Sequence, residues 1–220
     1  MVIIALADIH SNLTGIDRIS AELEKADLIL LTGDITHFGK RDDVERIIKA
    51  VYRYNRNVFA VHGNCDLTEV FQYLDENKIN LHGSSVIYRE YAFIGLGGSL
   101  PCPGVTPSEF TEKQIKEILT NADPSGERKV DKILVSHQPP HNTINDCVAY
   151  GRHVGSFSVR SFIEEHQPLV CFTGHIHEGV GIDRINNTQI INPGPLREGG
   201  YAYLEIDKQG CNLEIRGRNV

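Results

Sequence analysis

Seven side chains able to hold a metal ion occur at five places in the chain, each soon after an apolar run: Asp8 and His10, Asp34, Asn64, His137, and His175 and His177. The set is four imidazoles, two carboxylates and one amide, with no thiolate among them. Mixed nitrogen and oxygen donors suit Mn, Fe, Zn, Ni or Co better than Ca or Mg alone, and Mn2+ is the first expectation. Seven donors exceed the needs of one tetrahedral ion and fit two divalent cations sharing a carboxylate. Asp8 and His10 are two residues apart, as are His175 and His177, so each pair would point to one side if the chain stays extended there. Any one of these pieces matches by chance in many chains. All five together, each following a strand, leave little room for coincidence.

The apolar runs at 2–6, 28–31, 58–61, 132–135 and 169–172 read as strands, and apolar residues at helical spacing predict helices over 13–25, 42–54, 69–76, 112–121 and 159–166. The opening βαβαβα order, with continuous Val, Ile and Leu in its strands, predicts parallel strands covered on both faces. Short strands at 86–88 and 92–94 follow, and the chain ends in strands at 189–191, 201–206 and 212–215, the last two separated by the turn Asp207-Lys208-Gln209-Gly210. This second half predicts a mixed sheet packed on the first. The fold class is therefore α/β, with every candidate ligand beyond the carboxyl end of a strand, where open α/β sheets bind their ligands. Residues 99–110 and 138–157 resist assignment, and loops of that length inside a domain are commonly functional.

Composition narrows the partners. A chain of 220 residues, 40% hydrophobic, can bury one substantial core, and no linker divides it, so residues 1–220 are expected to form one domain. The net charge of −7 opposes a groove that tracks the phosphates of long nucleic acid. No apolar run approaches the ~20 residues of a membrane span, and the first residues lack a basic segment before their apolar run. Five scattered cysteines without CxxC spacing suit reduced thiols and a cytoplasmic location. Whether copies of the chain associate is left open.

The ordered pattern Asp8-x-His10, Gly33-Asp34, Gly63-Asn64-Cys65-Asp66, His137 and Gly174-His175-x-His177 resembles the calcineurin-like metallophosphoesterase superfamily. The stretches GDITHFG, GLGGS, TPSEF, HVGS and INPGP are similar to its small bacterial and archaeal phosphodiesterases. The resemblance implies a four-layer αββα sandwich of two mixed β-sheets flanked by helices. It also implies that Asp8, His10 and His177 bind one metal and Asn64, His137 and His175 the other, with Asp34 bridging. Two such ions about 3.5–4 Å apart lower the pKa of a bridging water and offset charge during in-line attack. The implied substrate is a small phosphodiester, cyclic or linear and nucleotide-like. A small-molecule phosphomonoesterase and a non-catalytic metal-binding scaffold of the retromer-subunit type are the alternatives.

One position departs from the pattern. The superfamily places a His after Gly-Asn, where it contacts the phosphate or protonates the leaving oxygen, and the next acidic residue orients it; here these are Cys65 and Asp66. A thiol is a weak donor and a poor copy of an imidazolium. His153 is the preferred replacement, because His153-Val154-Gly155-Ser156 leads into a helix N-terminus that could receive an anion. Asn12 is expected either to contact phosphate or to cap a helix. Arg152 and Arg197 could pair with phosphate, while His37, His62 and His82 read as structural.

Overall fold

The structure is a computed structural model that describes residues 1–123, 130–208 and 210–218. Gln209, in the expected turn before the last strand, lies outside the described residues.

The first half follows the apolar pattern: β1 (Val2–Leu6), α1 (Leu13–Arg18), α2 (Ser20–Lys25), β2 (Leu28–Thr32), α3 (Arg41–Tyr52), β3 (Val58–Val61) and α4 (Thr68–Glu76). The helix expected over 13–25 is broken at Ile19, which ends α1 outside helical geometry. The second half supplies β4 (Ser85–Tyr88), β5 (Tyr91–Leu96), α5 (Glu112–Ala122), β6 (Asp131–Ser136), β7 (Cys147–Val148), β8 (Arg152–His153), α6 (Phe157–His166), β9 (Val170–Phe172), β10 (Gly181–Ile185), β11 (Thr188–Asn192), β12 (Tyr201–Asp207) and β13 (Gly210–Arg216).

Two mixed sheets result, one ordered β13-β12-β1-β2-β3 and the other β10-β11-β9-β6-β5-β4. The terminal strands do not join the second sheet, as the sequence suggested. They return to the first, where β12 pairs antiparallel with β1, bringing Ala202 opposite Ala5. Alternation along each strand then sorts the core into three apolar zones. Ile4 and Leu6 face the layer of α1 to α4, whereas Ile3 and Ala5 face Phe93, Ile133 and Phe172 of the other sheet. Ile94, Leu134 and Cys171 look away from that interior toward Ile115 of α5 and Phe162 of α6. The order helices, sheet, sheet, helices is the four-layer sandwich that the resemblance implied. Among the described residues, no helix is long and apolar enough to cross a membrane.

His62 and His82 lie within the fold, their ring centroids 4.6 Å apart, with Phe71 and Phe110 packed against them. Burial drives the pKa of His62 well below its usual value and that of His82 from 6.5 to about 4. The sign follows from linkage: below pH 6.5 the unfolded chain takes up protons that the folded chain refuses. Stability is therefore lost as pH falls from about 6.5 toward 4, at up to about 1.4 kcal/mol per unit for His82. His82 Nδ1 accepts the Gly97 N–H at 2.9 Å, which an asparagine oxygen could replace. In urea unfolding of metal-free protein, His82→Asn is expected to flatten this acid slope; an unchanged slope would refute the assignment.

Candidate metal centre

The loops after β1, β2, β3, β6 and β9 meet at one end of the two sheets. Backbone hydrogen bonds join them: Asp8 N–H to Gly33 at 3.2 Å, His10 N–H to Asp34 at 2.9 Å, and Gly174 N–H to His137 at 3.3 Å. The candidate ligands do not converge by strand alternation, because β1 ends at Leu6 and β9 at Phe172. Instead Asp8, His10, Asp34 and His175 take left-handed backbone conformations, with φ of 50°, 45°, 47° and 67°. Non-glycine residues enter that region at a cost of order 1–3 kcal/mol each, and such residues cluster where function requires them. Gly63 permits the closest approach: a Cβ there would collide with the backbone and carboxylate of Asp34.

The polar atoms that meet lie within a few ångströms of one another. His137 Nδ1 lies 2.8 Å from the Thr32 carbonyl, which only accepts, so this nitrogen is a donor. That leaves Nε2 facing the Asn64 Oδ1 at 3.0 Å and the Asp34 Oδ1 at 3.5 Å. A nitrogen and two oxygens facing one another is an arrangement that a cation satisfies. Across the cleft, His10 Nε2 is 3.4 Å from His177 Nε2 and 3.7 Å from Asp34 Oδ2, and His177 Nε2 is 3.6 Å from Asp8 Oδ1. Three sets of donors, each within 4.8 Å, could hold an ion: Asp8, His10 and His177; Asp8, Asp34 and His137; and His10, Asp34 and Cys65. The residues therefore fit divalent cations. His175 belongs to none of these sets; its ring lies beside that of His137, with Nε2 3.6 Å from the Cys102 thiol.

Burial keeps the His10 and His175 imidazoles available to a metal ion. Burial lowers the pKa of His10, and it lowers that of His175 to about 3. His177 is raised, chiefly by its hydrogen bond to Asp8. Burial pushes both buried carboxylates upward. For Asp8 the hydrogen bond from His177 and the surrounding imidazoles more than reverse that push, whereas Asp34 stays raised.

The residues expected to handle substrate are placed differently. Cys65 lines the cleft, with its thiol pushed up by burial and by the Asp34 charge, and its backbone N–H donates to Asp34 Oδ1 at 2.8 Å. Asn12 caps α1, accepting the Gly15 N–H at 3.1 Å, and its side chain also lines the cleft. Asp66 is fully buried and lines no part of the cleft. Its carboxylate accepts from Gly63 N–H at 2.8 Å, Ile35 N–H at 3.0 Å, and Thr36 N–H and hydroxyl at 2.8 Å each. It pins the loop after β3 to the loop after β2 and has no imidazole to orient. Burial, then the Asp34 charge, raise its pKa to about 6.

His153 is also displaced from its expected role. It sits on the small β7–β8 ribbon, with Nδ1 2.7 Å from Asp146 and its ring near His141, outside the cleft lining. The helix N-terminus beyond it already holds an anion: the Glu112 carboxylate accepts from Phe157 and Ser158 N–H and from the Ser156 hydroxyl.

The profile of the calcineurin-like phosphoesterase family matches residues 1–179. The uncharacterized protein MJ1162 of Methanocaldococcus jannaschii is 38% identical over 199 residues, covering 89% of this chain and 88% of the relative. The chain belongs to the calcineurin-like phosphoesterase family. Among solved structures, TT1561 of Thermus thermophilus superposes with a TM-score of 0.77 at 19% identity, covering 98% of each chain. A structure described as a novel archaeal phosphodiesterase gives a TM-score of 0.55 at 16% identity, over 98% of this chain and all of that one. These likenesses establish a shared fold.

In this family member the cleft of about 600 Å³ is also lined by His37, Cys102 and Arg197. His37 reads as structural in the sequence, yet its ring meets that of His10 edge-on, centroids 5.4 Å apart. Cys102 arrives from the unassigned stretch 99–110. Glu109 folds that stretch by accepting the Cys102 N–H at 3.1 Å and the Thr106 N–H and hydroxyl at 2.7 Å each, while Ser108 N–H braces the Asn64 carbonyl at 3.2 Å. The spacing Thr106-x-x-Glu109 was the available signal for a self-folded loop, although it does not reveal where Cys102 ends up.

Proposed function

We propose that the chain is a metal-dependent phosphodiesterase acting on small, nucleotide-like phosphodiesters through two divalent cations. The observation that carries this reading is the convergence of imidazole, carboxylate and amide groups around Asp34. Asp8, His10 and His177 would hold one ion, and Asn64, His137 and His175 the other, with Asp34 between them. Mn2+ is the first candidate on donor chemistry. Bound cations of this kind polarise phosphoryl oxygens, activate water and stabilise charge on the leaving oxygen.

The chain's own residues do the rest. Thr32 fixes the tautomer and orientation of His137, as the hydrogen-bonded partners of metal-binding histidines do elsewhere. Asp66 and Gly63 hold Asn64 close to Asp34. Cys65, whose thiol keeps its proton, occupies the wall without serving as an acid. In place of the expected His153, the cleft offers no second imidazole acid beyond His37.

Metal-free protein supplied with Mn2+ and bis-p-nitrophenyl phosphate tests this reading. Asn64→Ala is expected to lower kcat/KM by about a hundredfold or more, some 3 kcal/mol of transition-state stabilisation. Cys65→Ala is expected to stay within about threefold, because its thiol neither shuttles a proton nor fixes a loop. Wild type that binds two metals yet hydrolyses no ester would refute the enzyme reading. A selective collapse in Cys65→Ala with both metals retained would refute the role given to Cys65.

A further inference from the structure

The cleft has two chemically different sides. Asn12, His37 and Arg197 line it together with His10 and His177, while Cys102 approaches it at His175. Arg197 reaches this position through the segment Leu196–Glu198, which follows Pro195. Leu196 N–H donates to the Ala7 carbonyl at 3.1 Å, directly before Asp8, and the Arg197 charge acts on His177. Leu196 is fully buried beside Gly15, the residue that Asn12 caps, so the two loops are packed as one wall.

Several arginines elsewhere are matched by carboxylates: Arg41 with Glu76, Arg53 with Asp17, Arg89 with Asp27, and Arg218 with Glu198. Among the described residues, no carboxylate pairs with Arg197 and no acceptor takes a hydrogen bond from its guanidinium. Glu198, its neighbour in sequence, is turned to Arg218 instead. Arg197 is an exposed cation whose side chain lines the cleft beside His10 and His177.

Charge inside the cleft sharpens the point. Asp8 and Asp34 offset half the charge of two divalent cations, and the single charge of a phosphodiester with that of an attacking hydroxide offsets the other half. The scissile phosphoryl group therefore leaves the Arg197 charge unmatched. A planar guanidinium with five donors is suited to a second oxyanion held in a fork-like contact.

We infer that Arg197, flanked by Asn12 and His37, is a specificity-determining residue that anchors a second phosphate group of the substrate, so that the preferred substrate is a phosphodiester bearing another phosphate beside the scissile one. This rests on the phosphodiesterase reading above. The second phosphate is not attacked. It fixes which arm of the diester lies toward His177 and which departs on the side of Cys102.

Two chromogenic esters make the comparison with Mn2+-loaded protein: thymidine 5′-(p-nitrophenyl phosphate) and the same compound carrying a 3′-phosphate. Wild type is expected to favour the phosphorylated ester at least tenfold in kcat/KM, with the difference in KM. Arg197→Met should reduce that preference to within about twofold, by raising KM for the phosphorylated ester, and Arg197→Lys should restore part of it. Arg152→Met, a change outside the cleft, should behave as wild type. Calorimetry gives a reading independent of turnover: thymidine 3′,5′-bisphosphate should bind loaded wild type at least tenfold tighter than loaded Arg197→Met. A wild type that hydrolyses both esters equally, or a preference that survives Arg197→Met, overturns the inference and leaves the phosphodiesterase reading standing. Loaded wild type that hydrolyses neither ester overturns both.

Discussion

Asp34→Asn is expected to abolish metal-dependent phosphoester hydrolysis, by about a thousandfold or more, equivalent to about 4 kcal/mol of lost transition-state stabilisation. Asp34 reaches both halves of the cluster, with Oδ2 3.7 Å from His10 Nε2 and Oδ1 3.5 Å from His137 Nε2. Asparagine keeps the volume and the oxygen that accepts the Cys65 N–H, so the turn around Asn64 should survive. What it removes is the charge and one of the two oxygens needed to serve two ions. Metal analysis is expected to find one ion or fewer per chain, against two in wild type.

The same substitution should not weaken the metal-free protein. Burial raises the pKa of Asp34, and the charges of Asp8 and Asp66 lie near it, so a neutral amide relieves repulsion. Thermal unfolding in chelator is expected to show an unchanged or higher Tm, the usual trade between stability and a functional site. Two retained ions with full activity would remove Asp34 from the centre of the mechanism.

Asp66→Ala is expected to act through stability. Its carboxylate satisfies three buried backbone N–H groups and the Thr36 hydroxyl. Unsatisfied buried donors cost about 1–3 kcal/mol each, so about 3 kcal/mol or more should be lost. For a chain of this size that is a fall in Tm of about 6–12 °C. Metal affinity should fall with it, since the loops bearing Asp34 and Asn64 are then no longer tied. Asp66→Asn should fall between wild type and alanine, because one oxygen remains while the amide meets N–H groups with another donor. Normal thermal stability with lost turnover would instead restore to Asp66 the chemical role suggested by its place beside Cys65.

The contrast between Asp34 and Asp66 shows what sequence patterns convey here. Both follow the glycine-rich ends of buried strands, and the pattern marks both as important. Only the hydrogen-bond partners separate them, and those come from a loop some thirty residues away. His153 was misplaced for a similar reason: its partner Asp146 lies within residues 138–157, whose folding depends on contacts with the segment around Gly179 and Gly181. The strands that carry the site were legible because they are continuously apolar. Strand β10 was not, since Gly181–Ile185 lies at a sheet edge, carries the adjacent polar residues Asp183 and Arg184, and buries only Ile185. His37 gave no signal of its own, and Arg197 none that set it apart from Arg152, because a loop residue's neighbours across a cleft are set by tertiary packing rather than by spacing.

The return of β12 to the first sheet also separates two boundaries. The family profile stops at residue 179, but β1, which leads into Asp8, has β12 as one of its two hydrogen-bonded neighbours. Strands β12 and β13 lie beyond the matched region and still shield β1 from becoming an open edge, a surface on which other chains can add strands. Strands β12 and β13 thus complete the sheet whose first strand leads into the metal centre, although they contribute no candidate ligand to it.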